Sequence, residues 1–524
     1  MRRLLALAPL LLLVACRGTS VKLFDNTIIE GHQKQKVIRP VVYGAGLSLR
    51  SWNPNGEHGW CEVTSLIHAR LVTFDLRGRL QCDLARTYGF EDDGRTLRIT
   101  LDDGVFHDGR PVTADDVVRT LDLARADPKS EPGRNLAAVE RVEATSAKEL
   151  RVVCKKPFPE LPEVLTEVAV LPAHVVGKDA SALEALPIGA GPFQVADQAG
   201  RSYTLIPHPQ WHGGQVRPPA VIVRVIEDDR ERAHLLARGH VDLACVKPEM
   251  LTLFGDRSRF RIHRARTGVI RAIPLDVKAP GLDDPRVRRA LSALVDREAL
   301  VDTALGGLGR PAYQLLAPAS PGFDSALDQP DLDPAAARKL LDDAGWIRDD
   351  DGTRRRNGAP LRVRLVAWQG ESFRRQAGDL IVDGWRREGI AAEVIRVDRD
   401  GYTRLARDLH GNAEGYVGGW GALAMPVSVL AKKCATGGVQ NRLGFSDATV
   451  DRTLAEAATA VRMGERVAGA RTAQRRIREL TPWIPLVYAD YLFVARAEVK
   501  GLVIDVVDSW YEWPRNLWRI RVEQ

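Results

Sequence analysis

Eleven tryptophans, eleven histidines and six cysteines are the side chains of this 524-residue sequence with the most distinctive chemistry, and their spacing limits what they can do. Acyl transfer would call for a serine on a Gly-x-Ser-x-Gly turn, phosphate chemistry for a glycine-rich loop ending in Gly-Lys-Ser/Thr, and zinc hydrolysis for a His-Glu-x-x-His helix. None of the three occurs. Gly306-Gly307-Leu308-Gly309 follows a helical stretch rather than a strand, so it reads as a helix stop. His208 and His212 stand four apart, but Pro207 and Pro209 argue against a shared helix face. His58, Cys61, His68 and Cys82 match no regular zinc spacing, and Asp228-Asp229 and Asp342-Asp343 read as solvated pairs. Neither an enzyme nor a metal or cofactor site is expected. What remains is aromatic: tryptophan and tyrosine offer broad apolar faces with one polar edge, a surface suited to holding a small solute reversibly.

The elements that must carry those aromatics are those of a large globular body. Length alone gives a prior of roughly three folding units, or two large ones. Hydrophobic residues at 45% and charged residues at 27% exclude both a disordered chain and a membrane bundle. The 75 basic residues against 68 acidic ones are scattered, with Arg354-Arg355-Arg356 the longest run, so no stripe for a nucleic acid is present. Leu97, Ile99 and Leu101 alternate as a half-buried strand. Thr113 with Asp116 reads as a capping box opening a helix with Ala114, Val117, Val118 and Leu121 on its apolar face. Asp284-Pro285 and Asp333-Pro334 open two further helices, and Gly345 ends the second of these. Phe373, Ala377, Leu380 and Ile381 stripe another helix, which stops at Gly389 before a strand at Ile390, Ala392 and Val394. Helix alternating with strand is the pattern of α/β layers.

At the N-terminus, Arg2 and Arg3 precede an apolar run over 4–14 that closes on Leu13-Val14-Ala15-Cys16. The run falls short of the about 20 residues of a membrane span but suits an export signal. The last four residues resemble the lipobox of bacterial lipoproteins, which implies cleavage after Ala15, a diacylglycerol thioether on Cys16 and a tether over 16–37. Buried acyl chains, at about 0.8 kcal/mol per methylene, hold such a body to a membrane surface. An exported protein can keep disulfides, and Cys61 with Cys82 is the expected pair among the remaining five cysteines.

A longer resemblance rests on Asp93-Gly94-Arg95-Thr96 and the run Gly104-Val105-Phe106-His107-Asp108-Gly109-Arg110-Pro111-Val112, followed by Gly189-Ala190-Gly191-Pro192-Phe193 and Ala237-Arg238-Gly239-His240. It continues through Asp284-Pro285-Arg286-Val287-Arg288, Asp296-Arg297, Ala344-Gly345-Trp346, Gly419-Trp420 and Pro482-Trp483-Ile484-Pro485. In this order the blocks resemble the bacterial family 5 extracellular solute-binding proteins, the peptide, dipeptide and nickel receptors of ABC importers. The resemblance implies an α/β, two-lobed periplasmic-binding-protein type II fold with a ligand cleft between the lobes. Lobe I is then expected over 38–268 and 489–524, and lobe II over 269–488. It also implies the partners of such a receptor: a small solute, a permease and ATPase complex, and a membrane reached through the lipid, with the receptor itself a periplasmic or extracytoplasmic monomer.

The same resemblance places Trp420, after Gly418-Gly419, in the pocket wall, and Tyr402 beside the ligand. Trp368 at a strand end, Tyr488 near the second hinge crossing, and Trp52 and Trp60 after the first strand complete the candidate ligand-binding set; a core position accounts for each except Trp420 equally well. Peptide receptors of the family carry an acid just after the glycine-tryptophan pair to meet the ligand ammonium. Here Gly421-Ala422-Leu423-Ala424-Met425 has none, and Val417 stands where some relatives carry an arginine. An unpartnered buried ammonium is costly, so Glu57, Glu62 or Asp490 would have to take over, or the solute is a blocked peptide, a saccharide or a metal complex. The alternative is an interaction lipoprotein of this fold that no longer serves uptake.

Overall fold

Alternation at Leu97, Ile99 and Leu101 builds the strand Thr96–Leu101, with these three side chains buried and Arg98 facing solvent. The computed structural model describes residues 38–523 apart from 58–60, 92–93, 178–179, 186, 422–424 and 508–512. Cys16, the leader and Trp60 therefore lie outside the described residues. Thr96–Leu101 pairs antiparallel with Ala85–Glu91 on one side and Glu149–Cys154 on the other, and Val139–Ser146 completes a four-stranded sheet. The helix Ala114–Arg125 buries Ala114, Val117 and Leu121 in the same apolar cluster as the strand. Asp116 fixes its start, accepting from the backbone N–H and hydroxyl of Thr113 at 2.8 Å each, while its other oxygen accepts from Ala173 N–H at 2.7 Å.

The larger sheet beside it has eight strands. At its centre Val41–Ala45 runs parallel to both Val221–Val225 and Leu243–Val246, so the chain leaves all three at one edge, near Gly46, Ile226 and Lys247. Crevices outside the carboxyl ends of parallel strands are where open α/β sheets bind ligands. Leu243–Val246 also pairs with Tyr491–Arg496, which in turn pairs with Phe260–Thr267.

Two chain crossings lead from this sheet to a second lobe. Phe260–Thr267 continues through Gly268 into Val269–Pro274, and Trp483–Ala489 returns through Asp490 into Tyr491–Arg496. In the second lobe Val269–Pro274 lies between Trp483–Ala489 and Gly418–Gly421 in a four-stranded sheet. A parallel sheet of Ala391–Val397, Arg362–Trp368 and Gly415–Tyr416 adjoins it, and only Val417 separates Gly415–Tyr416 from Gly418–Gly421. The helices Pro285–Ala293, Pro334–Asp343 and Ser372–Arg387 pack over these sheets, with Trp385 fully buried and its indole N–H donating to Leu291 O at 3.0 Å. Gly345, at φ +81°, ends the second of them in the left-handed region.

The expected Cys61–Cys82 disulfide is absent: both are unpaired, as are Cys154, Cys245 and Cys434. Cys61 is buried at the start of the helix Glu62–Ile67, 3.6 Å from the Thr64 hydroxyl, whereas Cys82 is exposed at the end of the strand Leu80–Cys82. One thiol faces inward and the other outward.

Because Asp116 satisfies two backbone N–H groups, Asp116→Ala should cost about 2–3 kcal/mol, and Asp116→Asn less. Urea unfolding checks this: the midpoint falls and the slope stays constant.

Candidate functional site

The segment after the parallel strand Arg362–Trp368 carries the charged residues Glu371 and Arg374. Glu371 stands at the N-cap position of the helix Ser372–Arg387 without a side-chain cap hydrogen bond, and Arg374 follows one turn later, on the same side. Glu371 lies 3.6 Å from Arg271, on the first strand of the lobe, and 3.5 Å from Arg374. Burial would raise the Glu371 carboxyl, but the charges of Arg271, Arg374 and Lys247 outweigh this and hold it below the usual carboxylate range. Lys247 belongs to the other lobe, immediately after Leu243–Val246. Arg271 and Arg374 thus flank one acid, while Lys247, which lies 3.9 Å from Asp229, adds its charge at longer range; one Glu371 oxygen and the Arg271 Nε are buried without a hydrogen-bond partner.

Arg374 organises two of the aromatics. Its guanidinium lies 4.8 Å from the Tyr402 ring centroid and 5.6 Å from that of Trp368, and Arg399 approaches Trp368 at 6.0 Å. Both Arg374 Nε and the Tyr402 hydroxyl donate to Val417 O, at 3.1 and 3.0 Å. An arginine from a different element thus reaches the Val417 backbone.

Trp420 is half-buried, and its ring meets Trp483 edge to face with centroids 5.0 Å apart. Lys433, on the helix Pro426–Cys434, places its ammonium 4.2 Å from the Trp420 centroid and 5.3 Å from that of Trp483, and donates to Gln440 Oε1 at 2.8 Å. Its only described acceptor is neutral, and burial lowers Lys433 from its usual 10.5 to about 8.

The other expected residues stand apart from these groups. Tyr488 is buried with Ile270, Ala312 and Ala317, against which Trp420 also packs, and its hydroxyl donates to Gln314 O at 3.2 Å. Trp52 is buried in the first lobe, edge to face with Tyr203 at 5.7 Å. Of the candidate acids, Glu62 is buried and accepts from Gly46 and Leu47 N–H at 2.7 and 3.1 Å, Asp490 pairs with Arg264, and Glu57 is exposed. A cavity of about 470 Å³ lined by Arg297, Tyr313, Arg478 and Trp483 lies wholly within the second lobe, away from Lys247. Glu371, Arg374, Arg271 and Lys247 were missed by sequence reasoning. One signal was available: Glu371 and Arg374 stand where the chain turns from a parallel strand into a helix.

The model for bacterial extracellular solute-binding proteins, family 5 Middle, matches residues 79–437. The chain belongs to this family. Family 5 solute-binding proteins are the solute-capturing components of ABC importers, a binding rather than an enzymatic class. Protein XP55 of Streptomyces lividans is 27% identical over 456 residues, covering 85% of this chain and 82% of its own. The glutathione-binding protein GsiB of Escherichia coli is 25% identical over 473 residues, covering 86% and 89%. The crystal structure of NikA from Brucella suis in complex with Fe(III)-EDTA superposes with a TM-score of 0.82 at 20% identity, covering 91% of this chain and 99% of that one, which shows the shared two-lobed fold.

In this solute-binding protein the Trp420–Lys433–Trp483 stack carries a pH signature. Between about pH 8 and 10.5 the unfolded chain still holds the Lys433 proton and the folded chain has released it, so stability rises with pH across that window. Lys433→Met should flatten this rise, as read by the thermal midpoint at pH 8 and pH 10.

Proposed function

We propose that the protein is the extracytoplasmic receptor of an ABC importer and that its solute is a short peptide or peptide-like compound whose carboxylate binds at Arg374 and Arg271. The observation that carries this reading is the excess of positive charge after the strand: Arg271 and Arg374 flank the single acid Glu371, and the charge of Lys247, itself 3.9 Å from Asp229, reaches Glu371 from the other lobe. A planar guanidinium matches a carboxylate in two parallel hydrogen bonds, and a site drawing on both lobes rewards closure. Glu371 is then the acid closest to the solute's cationic end, in place of the one missing after Trp420. On this reading Trp368, Tyr402 and Trp420 border the apolar part of the solute, with Tyr488 and Trp52 supporting them from the two cores.

Lobe I comprises 38–268 and 489–524, lobe II 269–488, and the solute shifts the population toward the closed arrangement that a permease and ATPase complex reads. The receptor works as a monomer held to the membrane through a lipid on Cys16, a reading supported by the resemblance of Leu13-Val14-Ala15-Cys16 to a lipobox.

Titration calorimetry with glutathione, trialanine and trialanine amide tests the assignment. A free-carboxylate probe should bind and stabilise the fold by about 2.7 kcal/mol at a hundred times its Kd. Arg374→Ala should weaken that binding by at least about thirtyfold, and the amide should bind about as weakly to the wild type. Equal affinity for acid and amide would contradict the proposal.

A further inference from the structure

The helix Pro426–Cys434 in lobe II has no cap of its own. Its N-cap residue, Met425, sits in the left-handed region at φ +58° and makes no side-chain cap hydrogen bond, and Pro426 opens the first turn. The next two N–H groups, of Val427 and Ser428, would be orphans of the kind every helix start must satisfy. They are satisfied from the other lobe. Glu160 accepts from Val427 N–H at 3.1 Å with one carboxylate oxygen and from Ser428 N–H at 3.0 Å with the other, across more than 260 residues of chain. Glu160 is buried, at 2% exposure, at the start of the helix Leu161–Leu165.

Three further contacts surround this cap. The Met425 side chain leaves its own lobe and is buried in the lobe I cluster that contains Leu161, Val164 and Leu165. Lys432, on the same helix, donates to Asn135 of lobe I, and Arg466 of lobe II approaches Glu163 at 3.9 Å, both side chains buried.

We infer that Glu160 and Met425 form an interlobe latch: a carboxylate of lobe I caps a helix of lobe II that cannot cap itself, and a methionine of lobe II plugs the lobe I core. The chain joins the lobes at Gly268 and Asp490, so a rotation about those crossings that widens the cleft pulls Glu160 from the helix and Met425 from the core. The latch therefore belongs to the closed arrangement and adds to its population independently of the solute. It rests on the clamp reading of the preceding subsection and adds a determinant that touches no solute.

Spin labels on Arg201→Cys in lobe I and Asp383→Cys in lobe II, in a Cys82→Ser, Cys245→Ala background, report the interlobe distance by pulsed electron resonance; Arg201 and Asp383 are 68% and 67% exposed. Glu160→Gln keeps the volume and one acceptor, Glu160→Ala removes both, and Met425→Ala acts from the opposite lobe. All three should add a longer-distance population, Glu160→Ala the most, and should weaken binding of glutathione or trialanine, Glu160→Ala by at least about tenfold. Wild-type distance distributions in Glu160→Ala and Met425→Ala would overturn the latch. If neither probe moves the wild-type distance while the variants still open, the latch stands and the solute assignment fails.

Discussion

Two adjacent strands passing without interruption from one sheet to the next set the mechanics of the whole molecule. Phe260–Thr267 becomes Val269–Pro274 and Trp483–Ala489 becomes Tyr491–Arg496, with one residue between the strands at each crossing. Thr267 binds the crossings together: its hydroxyl donates to Ala489 O at 2.6 Å and accepts from Val269 N–H at 2.8 Å. Buried at 4% exposure, it cannot exchange these partners for water at little cost. A paired crossing resists separation and shear more than bending, so the soft motion left to the lobes is rotation about it.

That constraint explains why the charged groups sit where they do. The three parallel strands of the larger sheet end toward the crossing region at Gly46, Ile226 and Lys247, and the 368–374 turn of the other lobe brings Glu371 and Arg374 to face Lys247 electrostatically. Cations gathered around one acid within a protein body are expensive unless further negative charge joins them. On the proposed assignment a solute carboxylate would supply that charge, and the closed arrangement would supply it best. On the same assignment the aromatic residues would contribute area and shape, and the arginines the preference for charge.

Local signals in the sequence were legible where a few adjacent residues decide the structure. Thr113 and Asp116 open their helix, Asp284-Pro285 and Asp333-Pro334 open theirs, and Gly345 stops one, because caps and stops act within a turn. The order of motif blocks led to the family and thereby to the fold. The charged turn was not legible, since Glu371 acquires its meaning from Arg271 a hundred residues upstream and Arg374 from the backbone of Val417. Lys433 carries no local signal either, because the rings that flank it, Trp420 and Trp483, come from other elements. The Cys61–Cys82 expectation followed from proximity in sequence, but a hairpin points one thiol to solvent while the other is buried at the start of a helix.

The central claim is that the two lobes close on a captured solute, and small-angle X-ray scattering of the purified protein tests it most directly. Adding a saturating free-carboxylate peptide should reduce the radius of gyration and shift the population to a single compact form. Scattering curves that superimpose with and without the peptide, at concentrations where calorimetry detects binding, would contradict the account.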